Sequence, residues 1–250
     1  MQERPILMMP PLVMVLLSGF LLGSGFQPTT LISLGLLNLA VTGGWYRMLA
    51  LATLNRPSGM DEFLSGIGRH FVQLVLGSLV FFLGLILLVA PWMPLAKRWA
   101  GDPSRIPFAS LQVQLSKGDL SALDPGMLLT LSRWSLILSL VFLLYGLASY
   151  FLLLWKQAVV IRLLSWPQAW ALSARMALKY WKPLFAILTV NGLAWLVAVV
   201  LLQAAKIFTG PLLALLTFSA SFASLVAEVY FRAAFTVFFV QVEDEEKLLQ

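Results

Sequence analysis

The feature that most constrains this chain is a series of six apolar segments, each long enough to cross a bilayer as an α-helix. The segments are residues 6–26, 30–54, 71–95, 127–154, 184–205 and 211–240. A bilayer core is about 30 Å thick, and a helix needs roughly 20 apolar residues to cross it. The segments are too long for barrel strands and do not alternate apolar with polar residues. The sequence therefore predicts an all-α, polytopic membrane bundle of six transmembrane helices, forming one domain over residues 1–250.

The composition excludes several other classes of protein. Of the 250 residues, 60% are hydrophobic and 11% are charged, which is too apolar for a soluble domain of this size. The absence of cysteine excludes disulfides and thiolate chemistry, and a single histidine leaves little for a transition-metal site. We therefore predict no metal and no cofactor. The net charge of +6 does not indicate nucleic-acid binding, because the basic residues lie at the ends of the apolar segments.

The distribution of basic residues predicts the topology. If the N-terminus is cytoplasmic, the inner side carries eleven of the 17 basic residues and the outer side carries six. Because basic residues are enriched on the cytoplasmic side, we expect both termini to be cytoplasmic. Residues 97–126 then form an extracytoplasmic loop, and residues 241–250, which contain "EDEE", form an acidic cytoplasmic tail. The first segment lacks a small-residue cleavage motif, so we interpret it as a retained span.

The two long inner connections share a pattern. Trp45 is followed twelve residues later by Pro57, and Trp155 is followed twelve residues later by Pro167. After the prolines come two amphipathic stretches, "MDEFLSGIGRHF" and "PQAWALSARMALKYWK". Proline suits the first turn of a helix, where its missing N–H needs no partner. We therefore predict two cytoplasmic-side interfacial helices.

The common offset of 110 residues raises the question of an internal repeat. Segments 45–90 and 155–200 would be two copies running in the same direction, related by an axis along the membrane normal. The two segments share seven identities at this offset, which is close to background for apolar sequence. Two explanations stay open at this point: duplication, or the general similarity of helical hairpins that have interfacial connectors.

Two ionisable residues lie inside the last apolar segment. In "AEVYFRAAFTVFF", Glu228 and Arg232 are four residues apart and hence neighbours on one helix face. Arg47 is expected at a similar depth in the second span, so that Arg47, Glu228 and Arg232 would form an intramembrane charge cluster with one net positive charge. Ionisable residues inside a membrane are functional candidates. The cluster either clamps spans two and six together or binds an anion or a lipid headgroup.

A second candidate site is basic. Arg175, Lys179 and Lys182 share one face of the second amphipathic stretch and are candidates for binding anionic lipid headgroups. Each such charge near the surface contributes on the order of 1 kcal/mol. Topology alone would also explain these charges. Membrane lipids are therefore the expected partners, and Gly19 and Gly23 in the first span leave internal helix packing and homo-oligomer formation as alternatives.

The chain lacks the common catalytic signatures, including H-E-x-x-H, G-x-S-x-G and the P-loop. Its order of spans, the stretch "GGWYRMLALATLNRP" and the last span with "EVYFRAAFTVFF" resemble a broad set of uncharacterised bacterial six-span membrane proteins. A similar architecture occurs in the membrane domain attached to some glycerophosphodiester phosphodiesterases. The resemblance implies a multi-pass protein of the bacterial cytoplasmic (inner) membrane. It does not imply phosphodiesterase activity, because the 250 residues include no catalytic domain.

These observations lead to two functional expectations. The first is a non-enzymatic integral membrane protein that binds or organises lipids or partner membrane proteins. The second is a transporter or permease-like protein with a polar site near Arg47, Glu228 and Arg232. A transporter is expected to show broken helices and solvent access beside Glu228, whereas a scaffold is expected to seal that carboxylate against an arginine.

Overall fold

A computed structural model describes residues 5–14, 17, 28–103, 125–205 and 211–248 of the chain. Over these residues the secondary structure is helical, without strands, which confirms the all-α prediction for this part. The α-helices are α1 (Pro28–Thr53), α2 (Met60–Val89), α3 (Met93–Ala100), α4 (Pro125–Phe151), α5 (Trp155–Arg162), α6 (Trp166–Lys179), α7 (Trp181–Ala205) and α8 (Pro211–Leu248). Short 3-10 segments cover Pro5–Met8 and Ala90–Trp92, and residues 9–14 are also helical.

Four helical segments in the described residues are long and apolar enough to cross a membrane. They are Met60–Ala100, Pro125–Arg162, Trp181–Ala204 and Leu215–Glu243. These segments correspond to predicted spans three to six, and they give the protein the architecture of an integral membrane protein. Most of the predicted first span, residues 6–26, lies outside the described residues. Helix α1 has 26 residues but is not among the four, because polar residues between Asn38 and Arg47 lower its hydropathy.

The two predicted interfacial helices differ. The stretch "MDEFLSGIGRHF" is not a separate helix, since it forms the first part of α2, which continues without a break to Val89. No proline interrupts the sequence between Met60 and Val89. The second stretch does form a separate helix, α6, which ends before Tyr180. Pro183 has no N–H for the carbonyl of Lys179, and this explains why α6 and α7 do not merge.

Local sequence explains where these helices begin and end. Two residues after the end of helix α1, Asn55 adopts a left-handed backbone (φ 54°). The N–H groups of Asn55 and Arg56 donate hydrogen bonds to the carbonyls of Ala52 and Leu51, respectively. This is the Schellman arrangement that terminates a helix. Helix α6 begins with a capping box between Ser165 and Gln168.

The chain divides into two compact units, residues 1–77 with 151–250 and residues 78–150. The first unit holds most of the buried core, including Trp45, Met48, Leu74, Leu154 and Phe239. In the second unit, Arg133 and Trp134 of α4 donate hydrogen bonds to the carbonyls of Trp99 and Gly101, at 2.8 and 3.0 Å. Most apolar side chains of α4 are exposed, as expected for a helix whose solvent is lipid.

Two predicted segments contain helical residues. The first four residues of the predicted loop 97–126 belong to helix α3, and residues 104–124 lie outside the described part. Within the predicted tail 241–250, helix α8 continues to Leu248. Glutamate, lysine and leucine favour helix, and no glycine or proline follows Val240 to end it.

Helices α1 and α2 approach each other closely at glycines. A Cβ atom added to Gly44 would lie 2.5 Å from the backbone oxygen of Phe63, and one added to Gly66 would lie 2.8 Å from the Cα atom of Gly44. Larger side chains at these positions would therefore separate the two helices. The close contact fixes the position of α1, which carries much of the site described next.

Candidate functional site

The guanidinium of Arg232 on α8 is surrounded by partners from α1 and from its own helix. It donates hydrogen bonds to Thr42 Oγ1 at 2.6 Å and to Asn38 Oδ1 at 3.4 Å, and it forms an ion pair with the Glu228 carboxylate. Its carbon Cζ lies 5.5 Å from the centroid of the Trp45 ring, a cation–π contact. These contacts join α1 to α8 through polar groups, which is the arrangement that a helix clamp requires.

Helical spacing explains why these side chains meet. Glu228 and Arg232 are four residues apart on α8, and Asn38 and Thr42 are four residues apart on α1. Each pair therefore lies one above the other on its helix. The Thr42 hydroxyl also donates to Asn38 Oδ1 at 3.1 Å, which orients both α1 side chains toward α8.

The structure does not bring Arg47 to this group. Arg47 Nε instead donates to Glu62 Oε2 of α2 at 2.7 Å. Arg47 follows Thr42 by five positions, which places it about 140° further around α1. The depth of Arg47 along α1 was compatible with the expected cluster. The direction in which its side chain leaves the helix was not. Arg47 and Glu62 therefore connect α1 with α2, whereas Arg232 connects α1 with α8.

Another cation, which the sequence did not single out, lies within electrostatic range of this pair. The ammonium of Lys156 on α5 is influenced by the charges of both Arg232 and Glu228. Tyr46 is influenced by the same two charges. We call Lys156, Glu228 and Arg232, with the surrounding Asn38, Thr42, Trp45 and Tyr46, the charge cluster.

One signal in the sequence pointed to Lys156. At the offset of 110 residues, Lys156 is equivalent to Tyr46. Because Lys156 follows an apolar segment closely, topology alone would explain its charge. Both residues are within electrostatic range of the Glu228–Arg232 pair.

The charge cluster is neither balanced nor sealed. It has two cations and one carboxylate, and no hydrogen bond or ion pair joins Lys156 to a residue in the described part of the chain. The side chain of Arg232 is 19% exposed, but that of Glu228 is 46% exposed. The arginine is therefore mostly enclosed by the protein, while about half of the Glu228 side chain is exposed.

A break in the helical backbone precedes Lys156. Helix α4 ends at Phe151, residues 152–154 form a turn, and α5 begins at Trp155. The buried hydroxyl of Ser173 donates to the carbonyl of Phe151 at 2.8 Å and accepts from the N–H of Leu154 at 3.0 Å. An interrupted helix at membrane depth needs such partners for its freed backbone groups. Ser173 therefore stabilises the break.

The second predicted site, Arg175, Lys179 and Lys182, lies at the end of α6 and the start of α7, and all three side chains are exposed. We call these three residues the basic face. Lys179 Nζ lies 5.0 Å from the ring centroid of Tyr180, and Lys182 Nζ lies 5.8 Å from that of Trp181. The opposite side of α6 is buried through Ala169, Ser173, Met176 and Ala177. Helix α6 is thus amphipathic, with cations and aromatic rings on its open side.

In the described ranges, no group of three or more His, Cys, Asp or Glu side chains is placed to hold a metal ion. Comparison of the chain with protein-family models, with curated proteins and with solved structures gave no match.

Proposed function

We propose that this protein is a non-enzymatic integral membrane protein that binds anionic lipids at its cytoplasmic surface. The observation that carries the proposal is helix α6, a separate amphipathic helix between membrane-length segments. Its buried side packs into the protein, while the basic face is open. Basic residues near aromatic rings are typical of the membrane–water interface, where anionic headgroups attract lysine and arginine.

Native mass spectrometry of the full chain in detergent tests this proposal. Wild-type protein is expected to retain phosphatidylglycerol in preference to phosphatidylcholine. The variant R175Q/K179Q/K182Q should lose this preference by up to roughly a hundredfold, at about 1 kcal/mol for each charge. The matched control R69Q/K97Q/R98Q removes three exposed cations from α2 and α3 and should keep the preference. Equal preference in the two triple variants would contradict the proposal.

We also propose that the chain crosses the bacterial inner membrane six times with both termini in the cytoplasm, and that segments 45–90 and 155–200 form a parallel repeat. A pair of equivalent contacts supports the repeat. Phe63 of the first segment packs on Gly44, and Ser173 of the second bonds to Leu154; Gly44 and Leu154 each directly precede their segment, and both pairs of residues are offset by 110. The proposed resemblance to the membrane domain of some glycerophosphodiester phosphodiesterases concerns this architecture.

The native chain has no cysteine, so single cysteines introduced near each end allow a direct test of topology. Cysteines that replace Gln2 and Gln250 should not react with a membrane-impermeant maleimide in intact cells. Both should react once the membrane is permeabilised. Labelling of one end in intact cells would exclude the six-span arrangement.

A transporter is the second candidate, and two observations favour it. The helix is broken at residues 152–154, just before Lys156, and the Glu228 side chain is about half exposed. Discontinuous helices beside a polar site are common in secondary transporters. If the Glu228→Gln variant is produced at normal yield but loses uptake activity, this result would favour transport over lipid binding.

A further inference from the structure

We infer that the acidic end of helix α8, residues 243–246, opposes the binding of anionic lipid at the basic face and so regulates that surface. The inference rests on the proposed function, because it concerns the affinity of the basic face for lipid. Residues 243–246 have the sequence "EDEE" and carry four carboxylates, whereas the basic face carries three cations. The fold brings these opposite charges to the same end of the helices, although they are distant in sequence.

The segments that flank α6 on either side both contact α8. Before α6, Arg162 Nε lies 3.2 Å from Glu243 Oε1, and the chain then turns at Leu163, which has a left-handed backbone (φ 58°). After α6, the ring of Tyr180 packs edge-on against that of Phe238, with the centroids 5.9 Å apart. Phe238 and Glu243 are five residues apart on α8, a rise of about 7.5 Å. Helix α6 is therefore held near the acidic end of α8 from both sides.

The cations of the basic face lie close to these contacts. Lys179 Nζ lies 5.0 Å from the centroid of the same Tyr180 ring that packs on Phe238. Lys182 lies in the first turn of α7, the helix that packs along α8. The acidic residues begin about one Debye length, about 8 Å at physiological ionic strength, beyond Phe238 along α8. Their charge is thus only partly screened, and it lowers the positive potential that a lipid headgroup meets at the basic face.

One of the four carboxylates is used in packing, and three follow it. The Glu243 side chain is 12% exposed and pairs with the last residue of α5. Asp244, Glu245 and Glu246 come next, and α8 stays helical beyond them. A continuous helix keeps these three residues within about 4.5 Å of rise from Glu243, whereas a flexible tail would let them move away. Three negative charges are therefore held near the three positive charges of the basic face.

The experiment is a double-mutant cycle on the full chain in detergent. Native mass spectrometry measures the retention of phosphatidylglycerol relative to phosphatidylcholine. The variant D244N/E245Q/E246Q removes three charges and leaves the ion pair between Arg162 and Glu243 intact, so the protein should fold normally. Its preference for phosphatidylglycerol should exceed that of wild type by about three- to tenfold, as expected for three partly screened charges.

The same three substitutions in the R175Q/K179Q/K182Q background are the matched control. That background lacks the basic face, so neutralising the acidic end should leave its lipid preference nearly unchanged. An equal gain in both backgrounds would show that the acidic end repels anionic lipid in general, and it would overturn the inference. An unchanged preference of D244N/E245Q/E246Q in the otherwise native chain would also overturn it.

Ionic strength gives a second readout. Raising the ammonium acetate concentration from about 0.1 M to about 1 M shortens the Debye length from about 10 Å to about 3 Å. The difference in lipid preference between wild type and D244N/E245Q/E246Q should therefore disappear. A difference that persists at high salt would mean that the acidic end acts through packing and not through its charge, which contradicts the inference.

The proposed function and this inference fail in different ways. If R175Q/K179Q/K182Q keeps the lipid preference of wild type, the proposed function is wrong, and the inference is wrong as well. If that variant loses the preference while D244N/E245Q/E246Q matches wild type, the proposed function is supported and only the inference is wrong.

Discussion

The charge cluster and the basic face are both rich in positive charge, but their surroundings are opposite. In the cluster, Arg232 is mostly buried and meets a carboxylate, a hydroxyl, an amide and an aromatic ring. On the basic face, Lys179 and Lys182 are exposed and rest on neighbouring aromatic rings. The cluster charges therefore contribute to helix packing, whereas the basic-face charges lie on exposed side chains.

This difference has energetic weight. Removing one partner from a buried ion pair costs about 3–5 kcal/mol, whereas an exposed pair contributes about 0–1 kcal/mol. Substitutions in the cluster should therefore change stability, and those on the basic face should change only binding. Four sets of variants test this contrast, beginning with the largest expected effect.

Arg232→Met should destabilise the protein by about 3–5 kcal/mol, because Glu228, Thr42 and Asn38 all lose their partner. Unfolding in detergent with increasing sodium dodecyl sulfate measures the change. The matched control is Arg47→Met, which removes an arginine that also pairs with one carboxylate, that of Glu62, and is slightly more exposed than Arg232, at 25% against 19%. It should cost about 1 kcal/mol. Equal losses in the two variants would remove the distinction between the cluster and an ordinary ion pair.

Gly44→Ala should destabilise the protein by about 2 kcal/mol, since the new Cβ would collide with the backbone oxygen of Phe63 and push α1 away from α2. The control is Gly35→Ala in the same helix, where nothing lies within 4 Å of the added Cβ. That variant should be neutral or slightly stabilising, because alanine favours helix. The difference between their unfolding midpoints measures how firmly close packing positions the α1 side of the cluster.

Glu228→Ala should reduce folding yield and cost about 1–2 kcal/mol, less than Arg232→Met. Arg232 keeps Thr42, Asn38 and Trp45 in this variant, and about half of the Glu228 side chain is exposed. Fluorescence-detected gel filtration gives the yield, and the detergent unfolding assay gives the stability. A loss as large as that of Arg232→Met would mean that Glu228 alone compensates the arginine.

The variant R175Q/K179Q/K182Q should change stability by less than about 0.5 kcal/mol, because all three side chains are exposed. The same unfolding assay applies, in detergent without added lipid. A large loss of stability would show that the basic face is part of the packing and not a surface free to bind lipids.

The sequence predicted the helical class, four membrane-length spans and the Glu228–Arg232 pair, because length, hydropathy and a four-residue spacing are local properties. It did not predict the partner of Arg47, which depends on the direction of the side chain around α1. The prediction of a separate first interfacial helix was also wrong. A proline before a helix indicates where the helix begins but not where it ends. Six spans and an internal repeat stay predictions.

The break at residues 152–154 was beyond sequence reasoning. The stretch "SYFLLLWKQ" contains neither glycine nor proline, so nothing local indicates an interruption. The break depends on Ser173, which lies about 20 positions later in the chain and supplies both the donor and the acceptor. Lys156 was missed for a related reason: the charges that influence it, on Glu228 and Arg232, come from a helix that is distant in sequence.

The hydrogen bond between Arg232 and Thr42 has a consequence for biosynthesis, because it joins residues 190 positions apart. At about 5–20 residues per second, the ribosome finishes Arg232 on the order of 10–40 s after α1. Arg47 of α1 can pair with Glu62 as soon as α2 follows, but Asn38 and Thr42 meet Arg232 only after α8 has been made. Polar groups inside a membrane need partners, so during that interval water or the insertion machinery must supply them for this side of α1.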